Sequence, residues 1–140
     1  MPGNVAPIYA KVAKIGFAHL AAAVTAADLT NAGLIFTADA TNGSIVNEVR
    51  IKYRAGTSTV ATVFRLWINN NSTISTATNN MLIYELSLPA ITTTNTAATG
   101  DFAIPMSRGG VALPPSYKFY AAIATWSTGA IIATAFGGDY

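Results

Sequence analysis

The sequence has no cysteine, a single histidine and few charged residues. Asp, Glu, Lys and Arg make up 10% of its 140 residues, whereas a typical domain has roughly 25%. The absence of cysteine excludes a disulfide scaffold and thiolate chemistry, and the Cys or His clusters that bind zinc are missing too. With 8 basic and 6 acidic residues the net charge is only +2, which gives no sign of a nucleic-acid partner.

Apolar and small polar residues take the place of the missing charges. Hydrophobic residues make up 51% of the chain, which excludes intrinsic disorder. The length suits one domain with a sizeable core. A neutral surface rich in Ala, Thr, Asn and Ser is poor at keeping free monomers apart in solution. We therefore expect other protein to cover much of this surface.

The amino-terminal part contains an apolar run, Ile15–Val24, that follows two lysines. This order imitates a secretory signal peptide, but the lysines lie well inside the chain and His19 interrupts the run. The run is also too short and too polar for a membrane span, which needs roughly 20 apolar residues, so no membrane partner is expected. We predict a docking arm and a buried first strand in residues 1–32, and a β-sandwich in residues 33–140, together forming a single domain.

Alternation of apolar and polar residues with a period of two dominates the rest of the sequence. The clearest case, residues 45–53, predicts a strand with one buried and one wet face, as in an antiparallel sheet. The predicted strands are residues 17–24, 34–38, 45–53, 59–68, 81–88, 102–106, 117–126 and 130–136. This pattern, without a long amphipathic helix, predicts an all-β protein: an antiparallel, jelly-roll-like β-sandwich of about eight strands with an N-terminal arm.

No motif in the sequence supports catalysis. A general base needs a placed nucleophile or carboxylate, and nothing near His19 in the sequence suggests one. Nucleophile elbows, phosphate-binding loops and paired-glycine fingerprints are absent. The four aspartates are scattered near turns, where Asp commonly bonds to local backbone. We therefore expect no metal and no cofactor, and we predict that the protein is not an enzyme.

One strand carries the only cluster of like charges. The cluster consists of Arg50, Lys52, Arg54 and, on the next strand, Arg65. Contact with nucleic acid or with an acidic protein is one interpretation. The other is a solvated sheet face on which Glu48 and Glu85 make cross-strand pairs. We favour the solvated face, because single-strand binding also needs aromatic platforms between the charges. A nucleic-acid partner is therefore not expected.

Four large aromatic residues fall on the side of their strands opposite to the predicted core positions. They are Trp67, Tyr120, Trp126 and Phe136. Aromatic residues of this kind are enriched in interfaces. Alternatively, the chain itself covers both faces of one sheet, or the assignment is off by one residue. We expect these four residues to serve an interface, with Trp67→Ala or Trp126→Ala weakening assembly more than the stability of the monomer.

Six short segments of strand and turn residues support a resemblance to a known group of proteins. They are Phe36–Ile45, Asn47–Lys52, Val63–Asn69, Tyr84–Pro89, Leu113–Tyr117 and Phe136–Tyr140. Together they resemble small virion proteins of tailed bacteriophages. The resemblance implies a head decoration (cement) protein on the capsid surface, folded in the bacterial cytoplasm. It also implies a major capsid protein as partner, association into homotrimers and no catalytic residues. Residues 1–32 fall outside the resemblance.

Two other roles remain as alternatives. A tail or receptor-binding protein of a virion needs an exposed loop shaped for its receptor, and residues 69–80 are the candidate. A carbohydrate-binding module needs an exposed aromatic strip on which sugar rings stack, and Trp67, Tyr120 and Trp126 are the candidates.

Overall fold

Two antiparallel sheets pack face to face and enclose the main core. The computed structural model describes residues 9–54, 58–106, 109–125 and 131–140. These residues contain eleven strands, one short 3-10 turn at Ala77–Asn79 and no α-helix. The strands are β1 Val12–Leu20, β2 Gly33–Thr37, β3 Ser44–Tyr53, β4 Ser58–Thr59, β5 Thr62–Asn69, β6 Asn80–Leu88, β7 Ile91–Thr92, β8 Asp101–Pro105, β9 Val111–Leu113, β10 Lys118–Ile123 and β11 Ile131–Asp139. The predicted all-β class is confirmed.

Eight of these strands form the framework of the two large sheets. Sheet A has the order β1-β11-β3-β8, with β9 also paired to β3, and sheet B has the order β2-β10-β5-β6. The strands β4 and β7 pair in a separate ribbon. The three strands beyond the predicted eight, β4, β7 and β9, have only two or three residues each. Strands this short do not produce a visible alternation in the sequence.

The main core is formed by the residues that the alternation places on the inward face of each strand. Val49 and Ile51 of β3 pack in the same buried cluster as Phe64 and Leu66 of β5 and Phe119 of β10. Burying a large apolar side chain contributes about 1.5–3 kcal/mol. This face-to-face packing of alternate residues holds the two sheets together.

The first strand differs from its prediction in place and in burial. The sequence predicts a buried strand over residues 17–24, whereas β1 ends at Leu20 and pairs along its whole length with β11. It lies at the edge of sheet A, and Ile15 and Phe17 are 65% and 63% exposed. The strand therefore belongs to the sandwich but presents large apolar side chains to its surroundings.

A register shift in β6 changes the faces of two residues: Leu82, predicted inward, lies outward, and Ile83, predicted outward, packs against the main core. The alternation predicts Leu82 on the same face as Leu86. Leu86 does lie opposite the core residue Phe64, but Leu82 lies opposite Trp67, which faces outward. The prediction for Leu82 is wrong because the shift inserts one unpaired residue at Ile83, and one extra residue reverses the alternation of side chains.

Candidate functional site

Trp67 and Tyr120 lie side by side on the outer face of sheet B, but the chain itself covers them. They are neighbours across β5 and β10, and each is only 8% exposed. Together with Val24 and Leu29 they form a second, smaller apolar cluster, and burial raises the pKa of the Tyr120 phenol. The expectation that these two aromatic residues meet another protein is therefore corrected. Their outward position serves a contact within the chain.

Residues 21–32, called the cover segment below, produce this burial. The N–H of Val24 donates to the carbonyl oxygen of Ile123 at 2.8 Å. The side-chain amide of Asn80 donates to the carbonyl oxygen of Ala27 at 2.7 Å. These bonds hold the segment against sheet B, so that its few apolar side chains reach the two aromatic rings.

The basic side chains of β3 lie on the outer face of sheet A, with acidic side chains beside them. Arg50 Nε donates to the carboxylate of Glu48 at 2.5 Å, and Arg50 lies 3.9 Å from Asp101. Lys52 Nζ donates to the carbonyl oxygen of Thr99 at 3.2 Å. Exposed pairs of this kind contribute at most about 1 kcal/mol. The face is therefore of mixed sign, and its ion pairs contribute little to stability.

The other predicted interface residues lie apart from this strand. The prediction that Arg65 extends the basic cluster is wrong, because β3 and β5 belong to different sheets. Arg65 instead donates to the Glu85 carboxylate at 2.7 Å across β5 and β6, as expected for a solvated sheet face. Arg54 is exposed directly after the end of β3. Trp126 lies outside the described residues.

Phe136 is half-buried on the outer face of sheet A, where it continues an apolar stripe. In the register of the sheet it lies between Ile15 of β1 and Glu48 of β3. Phe17, two residues beyond Ile15 on the same face, is also exposed, and the ring of His19 packs edge-on against it with 6.1 Å between ring centroids. The predicted residue Phe136 therefore lies next to two exposed apolar residues that the sequence did not single out.

A groove between β1 and β2 joins this stripe to a further exposed apolar side chain. The groove has a volume of about 240 Å³ and is lined by Lys14–Phe17 and Leu34–Thr37. Leu34 is 43% exposed at its rim. We call Ile15, Phe17 and Leu34 the β1–β2 patch. Contiguous exposed apolar surface of several hundred Å² marks binding sites for protein or ligand, which makes the β1–β2 patch a candidate site.

Gly16 is the residue that allows the two strands to meet at this groove. A Cβ atom at this position would overlap the carbonyl oxygen of Ile35 and lie 2.9 Å from its carbonyl carbon.

The sequence did not identify Ile15 and Phe17 as exposed. They lie in a run that is apolar on both faces of the strand, and such a run is typical of a buried strand. The signal that identifies them is the alternation of these large residues with the small Gly16 and Ala18.

Side chains that could bind a metal ion do not cluster in the described residues. Among them, no group of three or more His, Asp or Glu side chains lies close enough together to hold a metal ion. Asp39 accepts hydrogen bonds from the N–H groups of Asn42 and Thr41, which lower the pKa of its carboxyl and tie it to its own turn. A search of the described part of the chain for a helix long and apolar enough to cross a membrane finds none.

The β1–β2 patch is therefore the surface with the clearest capacity to bind. It combines apolar side chains, a groove and a neighbouring strand of mixed charge, a combination that suits contact with protein. Comparison of the chain with family models, with curated proteins and with solved structures finds no match.

Proposed function

We propose that this chain is a structural protein of a bacteriophage virion, a capsid decoration (cement) protein that binds the major capsid protein and stabilises the shell. The observation that carries the proposal is the exposed β1–β2 patch on a protein with very little charge. A monomer gains no stability from leaving Ile15, Phe17 and Leu34 in contact with water. Docking on a shell removes them from water, at about 25 cal/mol for each Å² of apolar surface buried.

The order of the strands supports the same role. When the eight long strands are numbered along the chain, sheet A reads 1-8-3-6 and sheet B reads 2-7-4-5. A jelly roll has this order, and we infer that fold for the sandwich. Jelly rolls occur in viral capsid and lectin domains. The fold on its own does not determine function, so the argument depends on the patch.

The sparse charge suits a protein that is present in many copies on one shell. Copies that carry little net charge do not repel each other when they are closely spaced. Association into homotrimers, which the resemblance to decoration proteins implies, would place three patches on one particle. Several weak contacts made together bind far more tightly than one contact alone.

The carbohydrate-binding alternative loses its main support. It requires an aromatic strip that is open to a sugar ring, but Trp67 and Tyr120 lie beneath the cover segment. A role in the tail remains as an outcome of the test that follows, because the patch suits docking on any virion protein.

Immunogold labelling tests the proposal directly. Antibodies raised against the purified chain are applied to intact virions of the phage that encodes it, and the gold particles are counted on heads and on tails. We expect dense labelling of heads and background labelling of tails. Labelling confined to tails would support the alternative virion role, and virions without any label would contradict both.

A further inference from the structure

The outer edges of the two large sheets differ in how well they are protected. A strand at a sheet edge has unpaired N–H and C=O groups that pair readily with another chain, and proteins usually shorten, charge or cover such edges. The edges of β1 and β2 lie against each other where Gly16 meets Ile35. The edge strand β8 has five residues, begins at Asp101 and ends at Pro105. These three edges are covered, short or interrupted.

Among the described residues, the edge of β6 is the least protected of the four, and the bulge at Ile83 is the one irregularity along it. This strand has nine residues and, among the strands that the structure describes, pairs only with β5. It contains no proline, lysine or arginine between Asn80 and Leu88. Its single charged residue, Glu85, is paired with Arg65 of the same sheet. Its exposed large apolar residues are Met81, Leu82 and Tyr84. The register shift at Ile83 leaves residues 84–88 as the regular part of this edge.

We propose that β6 is a self-association edge, which pairs antiparallel with β6 of a second copy of this chain. The inference goes beyond the proposed function and does not depend on it, and this two-fold contact is separate from the trimeric association described above. A second copy is the occupant that the charges favour, because Glu85 is already neutralised by Arg65 and the rest of the strand is uncharged. A two-fold axis is also the commonest symmetry among assemblies of identical chains, and it brings one surface against the same surface of the second copy.

One register of this pairing places compatible side chains opposite each other on both faces of the sheet that the two copies would form. Leu86 faces the core of its own chain, opposite Phe64. With the two-fold axis at Leu86, each Tyr84, which is 40% exposed in the single chain, lies opposite Leu88 of the second copy. Each Glu85 then lies opposite Ser87 of the second copy on the outer side, so that the two carboxylates are not adjacent. Like charges directly opposite each other destabilise a sheet, and this register avoids that arrangement.

Mixed-cysteine crosslinking tests the pairing and its register. The native chain has no cysteine, so Glu85→Cys and Ser87→Cys each introduce a single thiol on the outer side. Directly opposite residues in an antiparallel pair have Cα atoms about 4.5–5.5 Å apart, within the range of about 4.4–6.8 Å found in disulfides. One variant carries an affinity tag, so that a mixed dimer is recognised by size. We expect the mixture to form the disulfide-linked dimer on mild oxidation, and neither variant alone to do so.

A charge on the edge gives a second test. Tyr84→Lys places two lysines at the paired edge, and we expect it to raise the dissociation constant for self-association by about 100-fold in sedimentation equilibrium. Val60→Lys, at an exposed position outside β6, is the matched control and should leave the constant unchanged. A wild-type chain that stays monomeric at high concentration would overturn the inference. So would a complex that Tyr84→Lys leaves intact, whereas head labelling of virions is a separate outcome and bears only on the proposed function.

Discussion

Trp67→Ala is expected to lower the free energy of unfolding by about 3–5 kcal/mol, the range for truncating a buried aromatic residue. The indole lies in the small cluster with Val24, Leu29 and Tyr120, so its loss leaves a cavity beneath the cover segment. Urea unfolding followed by circular dichroism measures the loss. The expectation drawn from the sequence is the reverse, a weaker assembly with a stable monomer. A loss below about 1 kcal/mol, together with failure to assemble, would restore that earlier interpretation.

Trp67→Phe is the matched control for this prediction. The Nε1–H of Trp67 is buried and has no hydrogen-bond partner among the residues that the structure describes. Phenylalanine keeps an aromatic ring against Leu29 and removes this unsatisfied donor, and a buried unsatisfied donor costs about 1–3 kcal/mol. We therefore expect a loss of less than about 1.5 kcal/mol. A loss as large as that of Trp67→Ala would show that Nε1 makes an important hydrogen bond.

Gly16→Ala is the second substitution with a large expected effect. The added methyl group would overlap the carbonyl oxygen of Ile35, and because this neighbour is backbone, β1 has to move away from β2. We expect a loss of about 3 kcal/mol or more in the free energy of unfolding, at the upper end for overpacking. Thermal and urea unfolding of the purified variant measure this loss, and an unchanged stability would contradict the close approach.

Gly100→Ala separates the effect of position from the effect of losing a glycine. A Cβ atom at Gly100 would lie 3.3 Å from the ring of Phe102, a side chain that can shift by a few tenths of an ångström. The expected loss is less than about 1 kcal/mol. Equal losses for the two glycine variants would mean that the contact between β1 and β2 is not the cause.

Local alternation was sufficient to predict the central strands and their buried faces. In β3 and β5 each residue that alternation placed inward, such as Ile51 and Phe64, is buried in the main core. Which sheet a strand joins depends on its pairing with distant strands, however, and alternation carries no such information. This is why Arg65 was assigned to the wrong surface: β3 and β5 are neighbours in the sequence but lie in opposite sheets.

The candidate site was harder to predict than the fold, for two physical reasons. Alternation correctly placed Trp67 and Tyr120 outward. Their burial, however, depends on the path of the cover segment, whose sequence shows no regular alternation of apolar and polar residues. Conversely, Ile15 and Phe17 lie in an apolar run that is typical of a buried strand, yet β1 is an edge strand with one open face. Exposure at an edge follows from the tertiary arrangement and not from the residues of the strand.

Binding of the chain to capsid shells that lack it tests the central claim most directly. Wild type, the double variant Ile15→Ser with Phe17→Ser, and the control Val60→Ser are each sedimented with such shells from the phage that encodes the chain. Val60 is exposed and lies outside the β1–β2 patch. We expect the double variant to bind at least about 100-fold more weakly, as for the loss of two central apolar contacts, with the control unchanged. Binding of the double variant with wild-type affinity would contradict the proposal that this chain works through the β1–β2 patch.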